Sequence, residues 1–198
     1  MEEALKVYVV DNGGQWTHRE WRVLKYLGAK TEMISNQTTV DKLMEMGVDG
    51  LVLSGGAPRI GTEAVKLGRT AEYLEQLEIP ILGICLGCQF MALHCGGDTQ
   101  VATTPEFGKV ELIVDDHDEI LKGIPDKFIV WESHNDEIKT VPKGWVVLAH
   151  SENCAVQAIR HETKPWFGLQ FHPEVNDTEH GDEIFQNFLD VCKARRKE

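Results

Sequence analysis

The chain has 198 residues, of which 42% are hydrophobic and 26% are charged, a balance typical of soluble globular proteins and not of disordered or fibrous chains. The 20 lysine and arginine residues against 32 aspartate and glutamate residues give a formal net charge of -12, which argues against a nucleic-acid or anionic-membrane partner. No apolar run approaches the ~20 residues of a membrane span, and the acidic start Met1–Ala4 does not resemble a signal peptide. With five cysteines, an odd number, we expect reduced thiols in a cytoplasmic protein.

The first half of the chain alternates between apolar segments and segments with helical periodicity. Four strands are predicted, at 5–10, 30–35, 49–53 and 79–84. Three helices are predicted between them, at 16–27, 38–46 and 64–77, where apolar residues recur every three or four positions. Strands that are apolar along their length suit a parallel sheet covered by helices on both faces.

From about residue 98 the pattern changes to short strands separated by turns. Five are predicted, at 109–114, 128–131, 145–149, 156–160 and 166–171. We interpret them as an antiparallel extension whose last strand returns to the main sheet, before a closing amphipathic helix at 184–192. With no repeat and no linker, residues 1–198 are predicted to form a single α/β domain. Its fold is expected to be an open doubly wound, mostly parallel sheet with a small antiparallel extension, as in flavodoxin-like folds.

The segment Gly83-Ile84-Cys85-Leu86-Gly87 follows the fourth predicted strand. It has the form G-x-C-x-G, which is the nucleophile-elbow pattern with cysteine in place of serine. The flanking glycines permit a tight turn, and a helix starting at Leu86 would point its positive dipole end at the sulfur and favour a thiolate. A buried structural cysteine at a strand end is the alternative, and this motif alone does not decide between the two.

A second motif, Phe171-His172-Pro173-Glu174, follows the last predicted strand. Residues i and i+2 of an extended segment share a face, so Glu174 can orient the His172 ring toward Cys85. Cysteine, histidine and an acid are the parts of a thiol triad. A strand-end histidine paired with a neighbouring carboxylate is the plainer alternative, but two such motifs at strand ends, where α/β sheets bind ligands, favour the triad.

A third segment, Ser54-Gly55-Gly56, follows the third predicted strand. Consecutive glycines let backbone N–H groups approach a ligand closely, so the N–H groups of Gly56 and Leu86 are candidates for an oxyanion hole. The segment does not match a phosphate-binding loop, because no Gly-Lys-Ser/Thr follows it.

The pair Cys85 and Cys88, with His94 and Cys95 nearby, raises the alternative of a metal or redox site. A four-ligand zinc site generally needs a second pair of ligands at suitable spacing, and the adjacent His94 and Cys95 would face different sides of a helix. We therefore expect no metal and interpret Cys88 as a small core residue behind the elbow.

The motifs around Cys85 and His172 resemble those of the class I (triad) glutamine amidotransferases, and the resemblance covers essentially the whole chain. Within that family the chain is most similar to the glutaminase branch that serves GMP synthetases. The stretches that carry this similarity are Asp11–Gln15, Leu53–Gly56, Ser133–Asp136, Gln170–Val175 and Asn187–Leu189. The chain departs from the family pattern at Ala57, which precedes Pro58 in the glycine loop, and at Cys88, where methionine or histidine is usual.

The resemblance implies that glutamine is hydrolysed through a cysteine thioester, with Cys85 as nucleophile, His172 as base and Glu174 as the residue that orients it. It further implies that the α-amino and α-carboxylate groups of glutamine are bound by Gln89, Asn135 and Asp136.

No cofactor is expected in this chain, since ATP and magnesium would be used by the partner, an ATP pyrophosphatase subunit that aminates XMP to GMP. Three alternatives stay open: a glutaminase subunit of the anthranilate or carbamoyl-phosphate type, a non-catalytic regulatory module of the same fold, and a free-standing thiol hydrolase acting on γ-glutamyl peptides.

Overall fold

The computed structural model describes residues 3–196 and arranges them around a nine-stranded sheet. The strands are β1 (Val7–Asp11), β2 (Met33–Ser35), β3 (Gly50–Leu53), β4 (Ile81–Ile84), β5 (Asp98–Val114), β6 (Lys127–Thr140), β7 (Trp145–His150), β8 (Ala158–His161) and β9 (Trp166–Leu169). The helices are α1 (Thr17–Tyr26), α2 (Val40–Met46), α3 (Ile60–Glu63), α4 (Thr70–Gln76), α5 (Leu86–His94), α6 (Asp118–Leu121) and α7 (Gly181–Arg195), with a 3-10 turn at Ala64–Leu67.

The strand order is β2-β1-β3-β4-β9-β8-β7-β5-β6. The first five strands are parallel, and the others extend the sheet by antiparallel pairing. The late strand returns as predicted, because β9 pairs in parallel with β4, with Ile81 opposite Trp166. The predicted α/β sheet with an antiparallel extension is therefore confirmed.

Helices cover both faces of the parallel part of the sheet. Along β1, Val7 and Val9 face the core that Leu24 of α1 and Phe188 of α7 complete. Their neighbours Tyr8 and Val10 face the opposite core, which includes Leu43 of α2, Leu74 of α4 and Met91 of α5. Strands buried on both faces explain why the first half of the sequence carries such continuous apolar runs.

The helix predicted at 64–77 is wrong as a single element. Gly68 has a φ of +56°, and the N–H of Arg69 donates to the carbonyl of Asn36 at 2.8 Å. This left-handed residue and its neighbour's tertiary hydrogen bond separate the 3-10 turn from α4. Leu67 and Leu74 are nevertheless both buried, so the apolar spacing indicated burial correctly but not helical continuity.

The short strands predicted at 109–114 and 128–131 are parts of a long hairpin. β5 has 17 residues and β6 has 14, and they pair from Ile113 opposite Lys127 out to Asp98 opposite Thr140, with a register shift between Val101 and Glu106. Around this shift, buried and exposed residues of β5 do not alternate regularly. The sequence there therefore lacks the two-residue period by which a strand is normally predicted.

Candidate active site

Cys85 lies between the end of β4 and the first residue of α5. Its backbone has a φ of 49° and a ψ of -103°, a conformation that is strained for any residue but glycine. Its N–H donates to the carbonyl of Leu169 at 2.7 Å. A Cβ at Gly87 would collide with the backbone oxygen of Leu53, so the turn needs glycine at that position. The segment has the geometry of a nucleophile elbow.

The structure brings Cys85, His172 and Glu174 together, although the first two are far apart in sequence. Nδ1 of His172 lies 2.7 Å from Oε1 of Glu174, and both residues line the same cavity as Cys85. Because Glu174 occupies Nδ1, Nε2 is the nitrogen left to exchange a proton with the sulfur. Cys85, His172 and Glu174 are 8%, 5% and 4% exposed, respectively. The three side chains are therefore largely shielded from water.

The charges around His172 favour its protonated form. Burial alone would lower the pKa of the imidazole, but the neighbouring Glu174 carboxylate and the Cys85 sulfur together outweigh it, so the pKa of His172 is raised well above its ordinary value. The ring therefore readily holds the proton that a thiol nucleophile must release.

The two candidate oxyanion donors lie on neighbouring loops beside Cys85. A Cβ at Gly56 would lie 2.5 Å from Cδ2 of Leu86 and 2.5 Å from the carbonyl oxygen of Asn12, which places the glycine loop directly against the start of α5. Within residues 3–196, no backbone hydrogen bond engages the N–H of Gly56 or that of Leu86. Both donors are free to bind an oxyanion, and that role stays a prediction.

A cavity of about 770 Å³ opens beside the sulfur, and Gln89, Asn135 and Asp136 all line it. The side-chain amide of Gln89 donates to the carbonyl of Asp136 at 2.8 Å and to Oε1 of Gln170 at 3.0 Å. The Asp136 carboxylate pairs with Arg59 at 2.9 Å. The Gln89 amide therefore braces the cavity wall, and Asp136 could bind an amino group only in competition with Arg59. Recognition of glutamine by these residues stays a prediction.

Sequence reasoning missed three residues that surround the triad. Gln170 is fully buried and its amide donates to Sγ of Cys85 at 3.5 Å; it stands two positions before His172, a spacing that could have revealed it. The Trp16 ring packs edge-on against the His172 ring, with centroids 4.7 Å apart. Glu20, on α1, is buried and lines the cavity, and no signal in the sequence marks it.

Among residues 3–196, one group of potential metal ligands has its donor atoms within 4.8 Å of one another: Glu106, His134 and Cys154. These atoms already have protein partners, because Ser151 and Gln157 each donate to the Glu106 carboxylate at 2.7 Å. His134 bonds to the same carboxylate and to the carbonyl of Asp136, which fits a scaffolding role.

Cys85 and Cys88 are the candidate metal ligands of the sequence motif. Within residues 3–196 they belong to no group of potential ligands whose donor atoms lie this close together.

In the part of the chain that the structure describes, no helix combines the length and the apolar character that crossing a bilayer requires.

A parallel sheet that presents a cysteine elbow to a His–Glu pair defines a class of protein, and comparison with known families identifies it. The family model of class-I glutamine amidotransferases matches residues 8–192, so this chain belongs to that family. Among its relatives is a glutamine-hydrolysing GMP synthase subunit from Thermoplasma volcanium, 51% identical over 98% of this chain and 95% of the relative. The corresponding subunit of Thermococcus kodakarensis is 43% identical over 94% of this chain and 98% of its own length.

Solved structures agree with this assignment. A GMP synthase subunit from Thermoplasma acidophilum superimposes with a TM-score of 0.94 at 48% identity, covering 99% of this chain and 98% of the other. A glutamine amidotransferase from Thermotoga maritima has a TM-score of 0.73 at 19% identity, over 98% of this chain and 84% of that one. The second likeness supports the fold alone.

Proposed function

We propose that this chain is the glutaminase subunit of a two-subunit GMP synthetase. It hydrolyses glutamine to glutamate and ammonia, and the ammonia passes to a separate ATP pyrophosphatase subunit that aminates XMP to GMP. The convergence of Cys85 and the hydrogen-bonded His172–Glu174 pair on one cavity carries the hydrolytic half of the proposal. The names of the relatives, which match this chain over nearly their whole length, support the choice of partner.

The reaction begins when the Cys85 sulfur attacks the side-chain carboxamide carbon of glutamine. His172 takes the thiol proton and delivers it to the departing ammonia, while Glu174 holds the ring and stabilises the imidazolium. The N–H groups of Gly56 and Leu86 bind the oxyanion of the tetrahedral intermediate, an effect worth about 3–4 kcal/mol per donor. Water, deprotonated by His172, then releases glutamate from the thioester.

The acceptor chemistry is assigned to the partner, because this chain carries no Gly-Lys-Ser/Thr phosphate loop after its glycine segment. In this proposal ATP and magnesium act in the synthetase subunit, and ammonia is the product that this chain passes on. Anthranilate and carbamoyl-phosphate synthases would use the same ammonia, so the acceptor identifies the branch.

The test follows nitrogen from glutamine to GMP. The chain is mixed with the ATP pyrophosphatase subunit, XMP, ATP and magnesium, and glutamine labelled with ¹⁵N in its side-chain amide is supplied. We expect the label in the amino group of GMP. A Cys85→Ala chain should give GMP only when ammonium is added. Release of labelled ammonia without labelled GMP would contradict the proposed partner, and absence of glutamate formation would contradict the glutaminase itself.

A further inference from the structure

A second carboxyl group lies behind the triad. Glu20 stands one helical turn after Trp16 on α1, and Trp16 packs against the His172 ring. Glu20 and Glu174 line the same cavity and are 1% and 4% exposed. The two carboxyl groups are therefore buried in the wall of one cavity, and of the charges that act on Glu20, that of Glu174 has the largest effect on its pKa.

Each of these carboxyl groups has one oxygen without a hydrogen-bond partner among residues 3–196. Oε1 of Glu174 is occupied by His172, but Oε2 of Glu174 is buried and unpaired. Oε2 of Glu20 is also buried and unpaired. Leaving buried acceptors unpaired is unfavourable, and two negatively charged carboxylates buried in the wall of one cavity also repel each other. One proton between the two groups would satisfy both oxygens.

The distribution of charge decides which carboxyl group holds that proton. The single imidazole of His172 can neutralise one carboxylate, and it is hydrogen-bonded to Glu174. The pKa of Glu20 is raised well above its ordinary value. Burial is the largest cause, the negative charge of Glu174 is the next, and the charge of Asp11 acts in the same direction. His172 and the backbone N–H of Gly55 oppose this shift without reversing it. Glu20 is therefore the group that stays neutral.

We propose that Glu20 is a neutral carboxylic acid that donates a hydrogen bond to Oε2 of Glu174 and thereby fixes the carboxylate that orients His172. Glu20 is a positioning residue, since it acts on the reacting atoms only through Glu174 and His172. The inference rests on the proposed glutaminase function, because that reaction is the one in which His172 must be oriented.

The kinetic test compares Glu20→Gln with Glu20→Leu, and uses Glu32→Gln at an exposed position as the matched control. Glutamine can still donate a hydrogen bond to Glu174, so Glu20→Gln should keep kcat for glutamine hydrolysis within about threefold of the parent. Leucine cannot, so Glu20→Leu should lower kcat by about tenfold or more while KM changes by less than about twofold. The control should behave as the parent. Thermal unfolding of each variant establishes that it is folded.

The second measurement detects the proton directly. The infrared difference between parent and Glu20→Gln should contain the C=O stretching band of a protonated carboxylic acid, and the difference between parent and Glu32→Gln should not. This measurement does not depend on activity and does not require the leucine variant to fold.

Three results would overturn the inference: a missing acid band, equal loss of kcat in the glutamine and leucine variants, or a rise in KM with unchanged kcat. The last would mean that Glu20 binds the α-amino group of the substrate as an anion. If the parent fails to hydrolyse glutamine, the proposed function fails, and the infrared result still decides whether Glu20 is protonated.

Discussion

Cys85 combines the strained backbone of the elbow with the sulfur that faces His172. Its positive φ is held by the hydrogen bond from its N–H to Leu169 and by the close contact of Gly87 with β3. Cys88, three residues later, is 1% exposed and packs in the core behind the sheet. Burial raises the pKa of the Cys88 thiol well above its ordinary value, so Cys88 is an unreactive core thiol although it lies only three residues from the nucleophile.

Replacing each cysteine in turn separates the two roles. Cys85→Ala should reduce glutamine hydrolysis about 10⁴-fold or more, because the nucleophile is removed. Cys88→Ala should keep activity within a few-fold and cost about 1 kcal/mol of unfolding free energy, as a small buried group is lost. Ammonia release and urea denaturation measure the two effects. Substantial activity in Cys85→Ala would disprove the thioester mechanism.

Glu174 sets the protonation of His172, and its replacement should reveal this. In Glu174→Gln the carboxylate no longer opposes the effect of burial, so the pKa of His172 should fall, as an NMR titration of the imidazole would detect. Glu183→Gln, which removes the carboxylate beside the more exposed His180, should leave the His172 titration unchanged. A His172 pKa equal in parent and Glu174→Gln would show that Glu174 does not control the ring.

The hydrogen-bonded pair of His172 and Glu174 should make the unfolding free energy depend on pH. A histidine whose pKa is raised by folding contributes stability that is fully present below its unfolded pKa of about 6.5 and is lost as the pH rises through the raised folded pKa. The difference in unfolding free energy between parent and Glu174→Gln should therefore be larger near pH ~6 than at alkaline pH. Urea denaturation at both values measures it, and a difference that grows with pH would contradict the assignment.

At the scale of elements, the sequence predicted the parts whose signals are local and repeated. β1, β3 and β4 are buried on both faces, so their apolar runs stand out, and the cysteine and histidine motifs follow strand ends. The break at Gly68 depends on a contact with Asn36, a residue of another segment, and cannot be inferred from helical spacing. The environment of Glu20 is equally non-local, since a polar residue on an amphipathic helix normally faces water.

The elbow depends on close contact between α5 and β3. In Gly87→Ala the added Cβ would meet the Leu53 backbone, so α5 must shift, at a cost of about 2–3 kcal/mol in unfolding free energy and with loss of activity. Gly61→Ala in α3 adds a Cβ that meets nothing within 4 Å and should be neutral or slightly stabilising. Urea denaturation and ammonia release compare the two variants. Parent-like behaviour of Gly87→Ala would show that the start of α5 can move without disturbing Cys85.

At the scale of the whole molecule, the carboxyl ends of the parallel strands bring the site together. The loops after β1, β3, β4 and β9 contribute residues of the cavity, and the β5–β6 hairpin adds Val101 and Phe107 to its wall. These two side chains are 59% and 61% exposed. Cavities of ~300–1,000 Å³ typically enclose ligands of drug size, so a volume of about 770 Å³ exceeds what one glutamine fills. The three triad residues line one cavity in the single chain, but the space around the substrate is open.

The arranged triad residues and the open cavity around them together predict how the synthetase subunit changes the kinetics of glutamine hydrolysis. Because Cys85 and the hydrogen-bonded His172–Glu174 pair already line one cavity without a partner, docking should lower KM for glutamine more than it raises kcat, by closing the cavity over the substrate. A coupling of ~1–3 kcal/mol, or about 5- to 150-fold, is typical of such effects. Ammonia release is measured over a range of glutamine concentrations for the chain alone, with the partner, and with the partner plus ATP and XMP. A large rise in kcat at constant KM would instead mean that the partner completes the triad, and equal kinetics under all three conditions would favour a free-standing hydrolase.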